Sequence, residues 1–307
     1  MNRNLFLKNA ALLGTGMMIG KMPAFAKPDF PTVRVPADKR HFTSTAVEEA
    51  IREFQSKVKD PELGWLFGNC FPNTLDTTVT HKNAGGRPDT YVITGDIDAM
   101  WLRDSTAQVW PYLHFVKKDK SLQQLIAGVI NRQTACILRD PYANAFYDDP
   151  AKVGEWKDDD TDMKPGLHER KWEIDSLCYP IRLAHRYWQL TGDTAPFDAD
   201  WQKAIALTLK TFKEQQRKEN NGPYRFQRKT AWATDGVPMN GYGYPVKPVG
   251  LICSAFRPSD DATIYSFLIP SNFFAVTSLR QAAAMLGKLN GEKSLISELT
   301  ALANEVE

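Results

Sequence analysis

Thr94-Gly95-Asp96-Ile97-Asp98-Ala99-Met100-Trp101-Leu102-Arg103-Asp104-Ser105 begins a stretch, continuing to Tyr112, in which a polar turn runs straight into a helix. Gly95 permits the turn, and Asp96 and Asp98 sit in it. A helix is expected from about Asp104 to about Phe115, with Pro111 disturbing it. Acids suit a first turn because the helix N-terminus carries partial positive charge, and Arg103 with Asp104 could form a local ion pair. The same residues also suit a sugar. An aromatic face covers the C–H side of a pyranose, while acids and arginine take its hydroxyls through charge-assisted hydrogen bonds. Charged residues are rarely buried without a partner, so Asp96, Asp98, Trp101, Arg103 and Asp104 together are candidates for a sugar subsite.

The pattern recurs outward from this stretch. Loops of similar character end at helix starts after Arg170 and after Phe256. Val47, Ala50, Ile51, Phe54 and Val58 repeat at helical spacing, as do Leu122, Leu125, Ile126, Val129, Ile130 and Ile137. Helices are predicted over 43–58, 121–139, 172–190 with Pro180 inside, 197–219, 259–286 with an interruption at Pro270, and from 294 onward. Residues 63–83 read as loop with one or two short strands, and 91–94 as a further strand. The Asp-rich loop over 140–165 is long enough to suggest function. Helical hairpins wound into a ring gather such loops at one end, so the expected fold is all-α, an (α/α) toroid. About seven helices are legible, too few to close a ring of six hairpins.

The chain has 307 residues, 43% hydrophobic content and a net charge of +2 with no Lys/Arg block, which argues against nucleic acid as a partner. Arg3 and Lys8, the apolar run over 10–19 and Ala24-Phe25-Ala26 read as a secretory signal peptide over 1–26. The mature chain is then expected in a periplasm or outside the cell, with no membrane anchor after cleavage. Cys70, Cys136, Cys178 and Cys253 are scattered without a C-x-x-C pair, which speaks against zinc. Two disulfides would be possible in such a compartment; buried free thiols are the preferred reading. The five His lack ligand spacing, and Asp148-Asp149 and Asp158 to Asp160 lack the alternation of a calcium loop. With no P-loop, no G-x-G-x-x-G and no G-x-S-x-G, no cofactor or metal is expected.

Two more constellations carry acids. In His168-Glu169-Arg170-Lys171-Trp172-Glu173-Ile174-Asp175-Ser176-Leu177, a helix would put Trp172, Asp175 and Ser176 on one face and Glu169 and Glu173 on another. Asp175 among apolar residues would be partly desolvated, which raises a carboxyl pKa. In Phe256-Arg257-Pro258-Ser259-Asp260-Asp261-Ala262, Ser259 suits a helix N-cap with Asp260 and Asp261 in the first turn. Adjacent acids also suit a hydrolase, because one held protonated near neutral pH can donate to a leaving oxygen. Arg257 would keep the other ionised.

The motifs over 95–105, 173–180 and 256–262, with Ile269-Pro270-Ser271-Asn272, together resemble glycoside hydrolase family 125. The resemblance runs from about Phe42 to the end of the chain. It implies an (α/α)6 toroid and a metal-independent exo-α-1,6-mannosidase that inverts anomeric configuration, acting on α-mannoside glycans such as N-glycans or mannan. It implies an Asp general acid within Ser259-Asp260-Asp261, with Asp261 favoured over Asp260. Asp96, Asp98, Trp101, Arg103, Asp104, Asp175 and Arg257 would bind substrate. The resemblance assigns the general base to a Glu beyond Glu307. Residues 27–307 are therefore expected to be the N-terminal part of a single catalytic domain, with the toroid incomplete. Another glycosidase on the same toroid, or a non-catalytic glycan-binding protein, is the alternative.

Overall fold

The computed structural model describes residues 30–307, and the expected signal peptide over 1–26 lies outside the described residues. Side-chain caps open four of the eight α-helices among the described residues. Ser44 Oγ accepts from Val47 N at the start of α1 (Thr45–Lys57). Asp60 caps α2 (Pro61–Cys70), with Pro61 in its first turn, where a missing N–H costs nothing. This helix corrects the loop reading of 63–83. Its first residues carry the Asp-Pro signature, but two glycines within it, Gly64 and Gly68, break the apolar stripe.

The remaining helices form a two-layered arrangement. One layer holds α3 (Leu102–Val109, extended by a 3-10 turn over Trp110–Phe115), α5 (Ile174–Thr191) and α7 (Ile269–Lys288), packed side by side in that order. The second layer holds α4 (Lys120–Arg139), α6 (Ala199–Gln215) and α8 (Lys293–Val306), with α4 against α6 and α8 against α7. Each helix of the first layer is followed in sequence by one of the second, so the unit is a helical hairpin. The loops entering α3, α5 and α7 carry the three motifs. Asp119 and Asp198 cap α4 and α6, and Gly192 ends α5 in the left-handed conformation at φ 69°.

Strands are few and short. A hairpin of β1 (Val79–Ala84) and β2 (Arg87–Val92) lies on α4. The second sheet orders β3 (Met100–Trp101), β4 (Ala145–Phe146) and β5 (Leu167–Glu169) antiparallel. This sheet matters for position. β3 runs directly into α3, and β5 ends shortly before α5, so their pairing through β4 brings the two helix starts together.

Two helix expectations are corrected. The second motif is helical only from Ile174, so Glu169 lies in β5 and shares no helix face with Glu173. The third motif is not helical at all. Residues 259–268 form a loop, and α7 begins at Ile269 with Pro270 in its first turn rather than as an interruption. Ser259 therefore caps nothing. All four cysteines are free: Cys136, Cys178 and Cys253 are buried as expected, whereas Cys70 is exposed. No helix among the described residues is long and apolar enough to cross a membrane.

Gly128 of α4 packs directly against β2. A Cβ there would collide with Thr90 Oγ1 and stand 2.9 Å from Thr90 N and 3.0 Å from the Asp89 carbonyl carbon. Thr90 Oγ1 meanwhile donates to Leu125 O at 2.8 Å, so it has little room to yield. Gly128→Ala should lower stability by about 1–3 kcal/mol through overpacking, despite the roughly 1 kcal/mol that alanine gains in helix propensity. A thermal melt reads this as a fall in Tm; an unchanged or raised Tm would show that the hairpin does not bear on α4.

Candidate active site

Arg103 in the first turn of α3 is mostly buried at the meeting point of the three loops, and carboxylates surround it. Its Nη1 donates to Glu173 Oε2 at 2.6 Å and to Asp175 Oδ2 at 3.3 Å. Asp104 Oδ2 lies 3.6 Å from its Nε, and Asp260 Oδ1 lies 3.8 Å from its Nη2. Ser176 Oγ donates to Glu173 Oε2 at 2.9 Å. One cation thus faces four acids drawn from three separate motifs.

The electrostatics follow from this imbalance. Burial disfavours the Arg103 cation, but Glu173, Asp175, Asp104 and Asp260 outweigh that, and its pKa is raised. Burial also raises Glu173 well above the usual carboxyl range; Arg103 opposes this, while Asp175 and Asp260 add to it. Asp175 is raised by burial against the pull of Arg103. Asp260 is raised by burial and by Glu169, opposed by Arg103, by Lys171 and by a hydrogen bond with Glu173. Asp261 behaves oppositely. Its Oδ2 accepts from Ser259 Oγ and from Arg257 Nη2, both at 2.8 Å, and these partners, Ser259 first, hold its pKa down. The Arg257 pairing is the one expected from sequence.

Buried oxygens without hydrogen-bond partners converge on the same place. They are Asp104 Oδ2, Glu173 Oε1, Asp175 Oδ1 and Asp260 Oδ1. An unsatisfied buried acceptor costs about 1–3 kcal/mol, and buried polar groups are ordinarily paired. A proton held between Asp260 and Glu173 would serve that pair, and a ligand rich in hydroxyl donors would satisfy Asp104 and Asp175. Among the described residues no group of three His, Cys, Asp or Glu is arranged to hold a metal ion.

The sequence-predicted residues separate into two sets. Arg103, Asp104, Asp175 and Asp260 come together. Asp96 and Asp98 are exposed in the Gly95 turn and make no ion pair with Arg103; Asp98 Oδ2 accepts from Lys152 Nζ at 2.9 Å. Arg257 is exposed and reaches only Asp261. Trp101 is buried, edge-on to His168 at a centroid distance of 5.0 Å, and clustered with Tyr147. Trp172, expected to share a face with Asp175, is instead fully buried core. Its Nε1 donates to Cys253 O at 2.8 Å, and its carbonyl accepts from Phe256 N at 3.0 Å. Two residues at the centre were not singled out from sequence. Glu173 reads there as one charge in an alternating run, and Lys171 likewise; only the burial of both sets them apart.

Comparisons with known proteins agree on one family. The model of the metal-independent alpha-mannosidases (GH125) matches residues 60–307. The meiotically up-regulated gene 157 protein of Schizosaccharomyces pombe is 34% identical over 304 residues, an overlap covering 93% of this chain and 59% of the yeast protein. A metal-independent alpha-mannosidase of Streptococcus pneumoniae, solved as a non-productive substrate complex with alpha-1,6-mannobiose, superposes with a TM-score of 0.81 at 42% identity. That match covers 87% of this chain and 62% of the streptococcal one, so the chain spans about 60% of the length of these relatives.

Glu173 generates a prediction for stability. Its folded pKa lies above the ordinary 4.5, so between that value and the raised one the folded state binds the extra proton. Stability then falls as pH rises through this window. Glu173→Gln removes the titration while leaving an amide oxygen for Arg103 and Ser176. The decline of Tm between about pH 5 and 8 should be shallower in the variant; identical slopes would mean that Glu173 is ionised throughout.

Proposed function

Because the chain belongs to the metal-independent α-mannosidases of glycoside hydrolase family 125, we propose that it takes part in removing a terminal α-1,6-linked mannose from mannoside glycans, with inversion. The observation that carries this reading is the pair of unpartnered carboxylate oxygens beside Arg103, Asp104 Oδ2 and Asp175 Oδ1. They are acceptors awaiting hydroxyl donors, and the streptococcal relative is described with alpha-1,6-mannobiose. The residues 27–307 belong to one catalytic domain of a secreted or periplasmic protein, a location supported by the N-terminal sequence pattern alone.

Asp260 is the general acid in this reading, rather than the Asp261 favoured by sequence. An acid must hold its proton near the working pH until the glycosidic oxygen takes it. Burial and Glu169 raise Asp260 in that direction, while Ser259 and Arg257 keep Asp261 ionised. Asp260 also spans inside and outside: its Oδ1 is buried beside Arg103, yet the side chain is 46% exposed. Asp104 and Asp175 take sugar hydroxyls, and Arg103 holds both in place. Glu173 is walled in completely, with Oε2 engaged by Arg103 and Ser176, so it serves the cluster rather than water. The water that attacks from the opposite face needs a second carboxylate, about 6.5–9.5 Å from the first in inverting enzymes. For that base the family resemblance points downstream of Glu307, so activity is measured on the full-length protein that carries this chain.

Asp260→Asn should lower turnover of α-1,6-mannobiose by roughly 10²–10⁴-fold, and turnover of an aryl mannoside with a good leaving group much less. Asp261→Asn should be milder on both. A reversed order would make Asp261 the acid. NMR of the first-formed mannose should show the β-anomer, and prolonged EDTA treatment should leave the rate unchanged. Binding of mannobiose without hydrolysis would identify a glycan-binding protein instead.

A further inference from the structure

Lys171 is 3% exposed, a burial that lysine reaches almost only when paired. Its ammonium has three hydrogens and three oxygens to meet them. Asp235 Oδ1 is 3.0 Å away, the main-chain oxygen of Asp260 3.1 Å, and Glu169 Oε1 3.3 Å. The contact with the Asp260 carbonyl is the informative one, because Asp260 sits at φ 65°. Aspartate tolerates that left-handed region better than most residues with a Cβ, and its carboxyl direction then depends on how the turn is held. The turn is closed locally by Asp260 N donating to Arg257 O at 2.9 Å and by Arg257 N donating to Asp261 O at 2.8 Å. Lys171 adds a tie from outside the turn, from a segment that is itself held by Asn144 Oδ1 on the Lys171 N–H at 3.0 Å.

We infer that Lys171 is a positioning residue: it holds the Asp260 backbone in its left-handed turn and so aims the carboxyl at the leaving oxygen. This rests on the reading of Asp260 as the general acid. A lysine that merely neutralised Glu169 and Asp235 would stabilise the fold without bearing on proton donation. The two roles differ in what they change. Misaiming an acid penalises the step that needs protonation, and a small displacement can cost up to about a hundredfold. It spares a substrate whose leaving group departs unaided. The charge has a second effect. Asp260 is faced by Arg103 from α3, by Glu173 and Glu169 beside α5, by its neighbour Asp261, and by Lys171, which with Arg103 and Glu173 is one of three groups lowering its pKa. Removing Lys171 therefore raises that pKa, and the loss of the protonated acid moves to higher pH.

The test compares Lys171→Met and Lys171→Arg with wild type in the full-length protein. With Lys171→Met, kcat on α-1,6-mannobiose should fall about 10–100-fold with KM nearly unchanged. Loss on a dinitrophenyl mannoside should stay within a few-fold, and the alkaline limb of the pH profile should move up. Lys171→Arg should recover part of the loss. Equal losses on both substrates with an unmoved limb would overturn the proposal, as would wild-type activity. The carboxyl carbon of Asp260, followed by NMR with Asp260→Asn giving its assignment, supplies a readout that needs no turnover. A raised titration midpoint in Lys171→Met supports the proposal even if wild type proves inactive, an outcome that would remove the mannosidase reading alone. An unmoved midpoint removes the Lys171 proposal. Should Lys171→Met fail to fold, Asp235→Asn frees one side of the ammonium while keeping its charge and is judged by the same leaving-group contrast: equal losses on both substrates overturn the proposal.

Discussion

A guanidinium withdrawn from water between two helix starts is the constraint on which this architecture turns. Arg103 is bound to Glu173 at 2.6 Å and to Asp175 at 3.3 Å, across the gap from α3 to α5. Breaking a buried pair by deleting one partner commonly costs about 3–5 kcal/mol, because an uncompensated charge is left behind. Here the imbalance is already built in. Four carboxylates crowd around Arg103, burial drives Glu173, Asp175 and Asp260 toward their protonated forms, and the cluster keeps oxygens without hydrogen-bond partners. Such an arrangement is poor as a staple. It makes sense as a receptor whose hydrogen bonds are completed by something else.

The loops around Arg103 keep their shape without regular secondary structure, because buried groups tie them by their main chains. Trp172 is the anchor: Tyr224 OH accepts from its N–H at 2.9 Å, and its carbonyl and indole hold Phe256 and Cys253. Beyond it, Ser254 N donates to Ser266 O at 2.8 Å and Thr263 Oγ1 to Ser254 O at 2.7 Å, closing the excursion that has Asp260 at its turn. Functional loops are ordinarily carried on rigid scaffolds. In this chain part of the scaffold is the loop's own interior, with the sheet β3–β4–β5 setting the spacing of the helix starts behind it.

Helical stripes and caps were legible in the chain because they are local. Residues three and four apart meet on a helix face whatever the rest of the molecule does, and Ser44, Asp119 and Asp198 cap helices that the periodicity had already marked. The reading failed where one local pattern serves two structures. Ser259-Asp260-Asp261 has helix-start chemistry, yet the first turn of α7 belongs to Pro270, and the acids form a turn with a left-handed residue. Asp96 and Asp98 share a motif with Asp104, but the turn at Gly95 leaves them exposed and away from Arg103.

Sequence alone determined the succession of helices and polar loops, the three acidic motifs and, through their order, the family. It did so because cap residues, apolar spacing and motif residues are properties of short segments. Tertiary structure alone decided which acids meet. Glu173 and Lys171 look like any charges on an alternating surface run, and Asp260 looks interchangeable with Asp261. Their burial and pairing arise from contacts with α3, with the 230s and with the loop before α7, which lie from about sixty to ninety residues away. A charge acquires its chemical role from the dielectric and the partners around it, and these are set by packing between segments that no local pattern connects.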